Sequence, residues 1–265
     1  MNRTDEAGRA AELVARNSYG RLVAILASRS RDITGAEDAL AEAFAAALEH
    51  WPVAGVPKNP DAWLLTAARR KLTDEMRKKQ TRRTHADHLR LITEELNAES
   101  NEEGLPDQRL ALMFACAHPA IDPTMRTPLI LQTILGLNAA EIANAFLVSP
   151  GTMSQRLVRA KSKISLAGIA FSIPATSELT DRLGAVLDAI YAIYSRGWAE
   201  SGDAGTPPLA EEAIWLGQLV VRLLPDEPEA KGMLSLMLHA EARRSARLDI
   251  EGNYQPLEKQ DTSLW

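Results

Sequence analysis

Two sets of residues in this sequence have the types and the spacing to meet nucleic acid. Thr152, Gln155, Arg156, Arg159 and Lys163 recur at i, i+3, i+4, i+7 and i+11, which is one face of a helix. Glutamine and arginine in the first half of such a helix carry hydrogen-bonding forks that reach base edges in a major groove, whereas Arg159 and Lys163 suit phosphates. With Ser154 beside them, these residues form the set expected on duplex DNA. Thr66, Arg69, Arg70, Thr73, Arg77 and Gln80 line a second helix face in a similar rhythm. A solvated basic face has the same pattern, so spacing alone leaves both readings open for each helix.

The charge distribution sharpens the choice. The 265 residues carry a formal net charge of −5, an unpromising sum for a DNA-binding chain. Contact with nucleic acid depends on where the positive charge sits, however. Arg69, Arg70, Lys71, Arg77, Lys78, Lys79, Arg82, Arg83 and Arg90 crowd one stretch, and Arg156, Arg159, Lys161 and Lys163 crowd another that contains no acid. The acidic residues gather elsewhere, in residues 94–103 and 211–229.

Helical periodicity dominates the elements that must carry these faces, and strand-like alternation is almost absent, so the expected fold class is all-α. Leu40, Ala43, Phe44, Ala47, Leu48 and Trp51 form an apolar stripe on a helix expected to start at Thr34, with Thr34 as N-cap and Glu37 as its capping-box partner. Pro52 and the Gly/Pro-rich residues 55–60 are expected to end it. The next helix should start near Asp61, whose carboxylate can cap the first turn, and Trp63 is read as core rather than as a base-stacking wedge. Its apolar stripe is Leu64, Ala68, Leu72 and Met76. Residues 97–106, polar, acidic and broken by Gly104 and Pro106, have the composition of a flexible linker.

Residues 137–161 read as a helix-turn-helix. Ile142, Ala143 and Phe146 are assigned to the inner face of the first helix, and Val148, Ser149 and Pro150 to the turn. Met153, Leu157, Ala160 and Ile164 give the inner stripe of the second helix. Leu147 stands where many such turns have glycine, so the turn either avoids a left-handed residue there or carries strain. Beyond Pro174, helices are expected over 178–198, 209–224 and 228–246. The last two resemble one hairpin of a helical solenoid, and a small β-hairpin is expected over 248–257 about Gly252 and Asn253.

The helix-turn-helix resembles region four of the sigma-70 superfamily, in the form used by extracytoplasmic-function sigma factors. Residues 36–44 (Ala-Glu-Asp-Ala-Leu-Ala-Glu-Ala-Phe) are similar to the family's clamp-binding helix of region two, and Pro60-Asp61-Ala62-Trp63-Leu64, running on to Arg77, to its promoter-melting helix. Residues 114–120, 191–195 and 257–261 resemble one subgroup with a long C-terminal extension of repeat-like helices. The resemblance implies residues 1–85 as region two, 86–106 as linker, 107–170 as region four and 171–265 as the extension. That extension is expected to be incomplete, since members of the subgroup usually continue past the position of Trp265.

The resemblance also implies partners: core RNA polymerase through Asp38, Glu42, Phe44 and Leu48, and promoter DNA at two elements. The melted element falls to Asn59, Thr66, Arg69, Arg70, Thr73 and Arg77, and the farther duplex element to the residues of the second helix already named. Removing a base from its stack costs a few kcal/mol, which pocket contacts must offset. For the extension three roles stand open: a built-in regulator of the sigma modules, a docking site for another regulatory protein, or fold stabilisation alone. The rival reading is a stand-alone helix-turn-helix regulator with a helical sensor domain, which would act as a symmetric dimer on half-sites.

No Walker-type loop, paired zinc-binding histidines or Gly-flanked serine elbow occurs, so no enzyme and no cofactor are expected. Cys116 is the only cysteine, which excludes an intrachain disulfide, and so few ligands give no reason to expect a metal. With no spanning stretch and an unremarkable N-terminus, the expected home is the cytoplasm, away from any membrane.

Overall fold

The computed structural model describes residues 3–80, 108–199, 209–249 and 251–265. Among these residues the fold is all-α, with no strands. The helices are α1 (Arg3–Ser30), α2 (Ile33–Ala54), α3 (Pro60–Gln80), α4 (Gln108–Cys116), α5 (Pro123–Leu135), α6 (Ala139–Ala145), α7 (Pro150–Leu166), α8 (Thr176–Ala199), α9 (Leu209–Leu223) and α10 (Pro228–Ala242). The expected linker, 86–106, lies outside the described residues. The chain forms two compact units, Met1–Val186 and Leu187–Trp265.

In the first unit α1, α2 and α3 pack on one another, and α4 and α5 pack on α1 as well. The residues assigned by resemblance to two modules therefore share one compact unit. Gly20 lets this happen: a Cβ there would lie 2.1 Å from the Ile134 carbonyl oxygen, so α1 rests its backbone directly on the end of α5. Gly136 ends α5 in the left-handed conformation, φ 65°, with the Tyr19 ring of α1 against it. Helix α4 is buried from Leu110 to Cys116, apolar all round as a central helix must be. There the Cys116 thiol lies 3.8 Å from the Thr133 hydroxyl, and burial pushes it up to about 12.

Several local expectations are corrected. Helix α2 starts at Ile33, and its N-cap is Asp32, whose carboxylate accepts from the Gly35 amide at 3.1 Å. Thr34 lies inside the first turn, and Glu37 is drawn away to another partner described below. Pro52 lies within the last turn rather than ending the helix, and Gly55, φ 90°, closes it. Near a C-terminus a proline removes one hydrogen bond and little else. Helix α3 starts one residue early, with Asn59 accepting from the Ala62 amide at 3.1 Å, while Asp61 pairs with Arg21 of α1 at 3.0 Å. On α2 the apolar stripe is narrower than its sequence spacing suggests: Leu40, Ala43, Ala47 and Trp51 are buried, Phe44 is half-buried and Leu48 is 51% exposed.

In the second unit α9 and α10 form the expected hairpin, with Pro228 in the first turn of α10 and Glu227 as its cap. Gly197 and Gly217 allow the close approaches: a Cβ on Gly197 would lie 2.5 Å from the Ala210 nitrogen, and one on Gly217 2.9 Å from the Met237 methyl. The expected β-hairpin is reduced to one antiparallel bridge, Leu248 with Tyr254. Backbone bonds flank the bridge on both sides, from the Asp249 amide to the Asn253 carbonyl (3.0 Å) and from the Gln255 amide to the Arg247 carbonyl (2.8 Å), and the Asp249 carboxylate holds the turn by accepting from the amides of Glu251 and Asn253 and from the Gln255 side chain.

Candidate nucleic-acid interface

Helices α6 and α7 hold the first candidate face. Asn138 caps α6, accepting from the amides of Ala140 (2.9 Å) and Glu141 (3.0 Å), and the Glu141 carboxylate returns to the Asn138 amide at 2.9 Å. Ser149 caps α7 and shares a 2.8 Å hydrogen bond with the Thr152 hydroxyl. Between them Leu147 adopts φ 54°, so of the two expectations for this turn the strained one holds. Its side chain is 93% exposed and gains nothing from burial in return. Phe146, assigned to the inner face, instead ends α6 and is 38% exposed, leaving Ile142 and Ala143 as the buried pair.

Met153, Leu157, Ala160 and Ile164 bury the inner stripe of α7, and Thr152, Ser154, Gln155, Arg156, Arg159 and Lys163 all stay exposed. The basic stretch is not uniform, however. Lys161 turns inward and pairs with Glu37 of α2 at 2.5 Å, with only 10% and 14% of the two side chains exposed. Burial pushes the Glu37 carboxyl above the ordinary carboxylate range, and Lys161 pulls it back only in part. Three cations, Arg156, Arg159 and Lys163, remain on the outer face.

The second face lies on α3. Thr66, Arg69 and Arg70 are exposed and Thr73 is half-buried, while the Arg77 side chain lies outside the described residues. Thr66 and Thr73 donate to their own helix, to the carbonyls of Ala62 (2.8 Å) and Arg69 (2.9 Å), so their oxygens are left only to accept. Burial and the nearby Arg29 of α1 lower the pKa of Arg69. The cleft beside this face, about 500 Å³, is lined by His50, Pro57, Asn59, Trp63, Thr66 and Arg70.

Trp63 is a wall of this cleft rather than core. It is half-buried, its ring edge-on to Trp51 at 5.5 Å and stacked with His50 at 6.2 Å. The spacing contained the signal, since Asn59, Trp63, Thr66 and Arg70 fall at i, i+4, i+7 and i+11 on one face. His50, at the end of α2, had no such signal because it meets the others only through the turn of the chain.

The remaining candidate residues lie on α2. Asp38 and Glu42 are exposed, and Glu42 pairs with Lys71 of α3. Phe44 and Leu48 form a separate pair, roughly 120° around the helix at about 100° per residue. The four therefore present an acidic edge and an apolar edge, not one face. Among the described residues no group of three or more His, Cys, Asp or Glu could hold a metal ion, and no helix is long and apolar enough to cross a membrane.

Residues 14–82 match the model of sigma-70 region 2, and residues 182–265 match that of a family of unknown function, DUF6596. An uncharacterized protein of Rhizobium meliloti (strain 1021) is 37% identical over 243 residues, which cover 89% of this chain. The chain spans 57% of that relative's length. No solved structure matches significantly.

Proposed function

We propose that this chain, which carries sigma-70 region 2 within residues 14–82, is an alternative sigma factor of the extracytoplasmic-function type. On this reading it binds core RNA polymerase, recognises a two-element promoter and promotes strand opening. The observation that carries the reading is the cleft inside that match, which joins an aromatic wall, Trp63, to a cation, Arg70, and to oriented hydrogen-bonding groups. Asn59 uses its carbonyl oxygen to cap α3, which leaves its amide protons to donate. Thr66 has donated its proton to Ala62 and can only accept. An extruded base can stack on the indole, a contact worth about 1–3 kcal/mol, and this offsets most of the few kcal/mol that unstacking costs. Arg70 suits the phosphate beside it.

Helices α6 and α7 act as the helix-turn-helix that reads the duplex element farther upstream. Gln155 and Arg156 meet base edges, Arg159 and Lys163 meet phosphates, and the Ser149 and Thr152 hydroxyls lie at the N-terminus of α7. Two readings on one chain make the second contact effectively intramolecular, so the spacing between elements becomes part of the recognition. Asp38, Glu42 and Leu48 offer polymerase a mixed acidic and apolar surface.

The test is co-elution of the full chain with core RNA polymerase, followed by permanganate footprinting of a bound promoter. The variant Asp38→Arg with Leu48→Glu alters only exposed positions and is expected to lose co-elution while keeping its helical circular dichroism. Trp63→Ala is expected to keep co-elution and lose the permanganate-reactive thymines. Absence of polymerase binding by the unaltered chain, or unchanged melting by Trp63→Ala, would refute the reading.

A further inference from the structure

The second unit contains a cavity that the promoter-directed reading does not use. It holds about 300 Å³, the low end of the range for small-molecule sites, between the last turns of α8, α10 with the turn after it, and the final hook of the chain. Three features set its chemistry.

Its charge has one sign. Arg243 and Arg247 line it, and no Asp or Glu does. The carboxylate of Glu241, beside the lining residue Tyr194, is held on both oxygens by Arg244, at 2.5 and 2.8 Å. Arg247 is pre-positioned, since it donates to the Trp198 carbonyl at 2.6 Å and its guanidinium lies 4.6 Å from the Trp198 ring centroid. A guanidinium stacked and anchored in this way loses little freedom on meeting an anion.

Its walls are flat and open. Tyr191 is 46% exposed and Tyr254 69%, and both face the cavity together with Trp198. Finally, polar atoms remain available inside it. Tyr194 is 4% exposed, and its hydroxyl, beside a Glu241 carboxylate that Arg244 already holds, makes no hydrogen bond of good geometry, while Nε of Arg247 and Oε1 of Gln260 have no partner. The Gln260 amide is oriented by its Nε2 donating to the Gln255 carbonyl at 2.9 Å, so Oε1 is the atom that remains. Buried polar atoms without protein partners are rare, and several around one cavity offer a ligand groups to bond.

We propose that this cavity binds a small aromatic carboxylate that also carries a hydrogen-bond donor. The carboxylate sits on Arg247 and Arg243 and accepts from the Tyr194 hydroxyl. The ring lies against Tyr191 and Tyr254, the exposed aromatics of the lining, and the ligand's own hydroxyl or amine donates to Gln260. The inference is independent of promoter recognition, because every residue it uses lies beyond Leu187.

Calorimetric titration of the full chain tests it directly, with benzoate, 4-hydroxybenzoate and 3-hydroxyphenylacetate as probes. Controls are 4-hydroxybenzamide for charge and phenyl phosphate for the kind of anion. At least one hydroxy acid is expected to bind at a single site with a Kd in the millimolar range or tighter, as ligand size permits, and to raise the Tm at saturation. Its amide and its unhydroxylated analogue should each bind at least tenfold more weakly.

Arg243→Gln and Tyr194→Phe, neither of which removes the Arg247 contact to Trp198, should each weaken binding severalfold with unchanged circular dichroism. The proposal is overturned if no acid of the set binds saturably, if amide and acid bind alike, if phenyl phosphate binds more tightly than every carboxylate, or if Arg243→Gln leaves affinity unchanged.

Discussion

The Glu37–Lys161 pair permits a quantitative test, because it joins α2 to α7 across 124 positions of sequence and is nearly sealed from water. Glu37 has one satisfied oxygen, Oε2 on Lys161, while its Oε1 is buried without a partner. Replacing Lys161 by methionine keeps the stem and removes the charge, leaving a buried carboxylate with nothing opposite. Breaking a fully buried pair costs about 3–5 kcal/mol, and the residual exposure here puts the expected loss at the low end, near 3 kcal/mol. For a unit of this size that corresponds to a fall of roughly 6–12 °C in the first calorimetric transition.

The pH dependence carries the stronger test. Glu37 has a folded pKa above its unfolded value, so the folded state binds the proton more tightly and stability falls as pH rises through the interval between the two. Lys161 narrows that interval, and its removal widens it. In Lys161→Met the deficit should therefore be larger at neutral than at acid pH, by up to about 1.4 kcal/mol for each pH unit within the interval. Glu37→Met combined with Lys161→Met should match or exceed the unaltered chain, since two apolar side chains replace a pair with an unsatisfied oxygen. An equal deficit at both pH values, or a double variant less stable than Lys161→Met alone, would refute the reasoning.

Three other substitutions follow from the geometry. Leu147→Gly relieves a left-handed leucine and is expected to add roughly 0.5–1 kcal/mol in urea unfolding, whereas Leu147→Ala adds none; equal values for the two would remove strain from the account. Gly20→Ala drives a methyl into the Ile134 carbonyl, with backbone on both sides, and is expected to cost about 3 kcal/mol, read as a lower Tm. On the outer face of α7, Gln155→Ala or Arg156→Ala should lose about 1–3 kcal/mol of binding on the preferred duplex only, while Arg159→Ala should weaken all duplexes alike and reduce the salt slope by about 1.

Much of α7 was legible in the sequence because one helix contains its own evidence of facing. Met153, Leu157, Ala160 and Ile164 repeat at the helical period, and burial follows that period residue by residue. The caps were legible in kind but not in place. Thr34 and Asp32 are both good caps, and only the path of the chain before the helix favours the carboxylate at 32. The same holds for Asn59 and Asp61, where the aspartate is claimed by Arg21, a residue 40 positions away. Trp63 was assigned to the core because an aromatic beside Leu64 usually belongs there. The contact that turns it into a wall comes from His50 and Trp51, at the end of a different helix.

The basic stretch of α7 marks the limit of what composition can tell about an interface. Four cations between 156 and 163 look equivalent in a string of letters, and a helix wheel places Lys161 at the border of the polar face. In the fold that border position meets Glu37, and its charge is consumed inside the protein, while Arg156, Arg159 and Lys163 keep theirs for solvent. On the proposed reading of α7, a count of phosphate contacts from sequence would therefore overstate the salt dependence of DNA binding by about one counterion, because each neutralised phosphate contributes separately. Lys161→Met should accordingly lower stability at neutral pH yet leave the salt slope of duplex binding unchanged, whereas Lys163→Met should do the reverse. Opposite behaviour of two lysines two residues apart is what separates a cation that holds the fold from one that meets DNA.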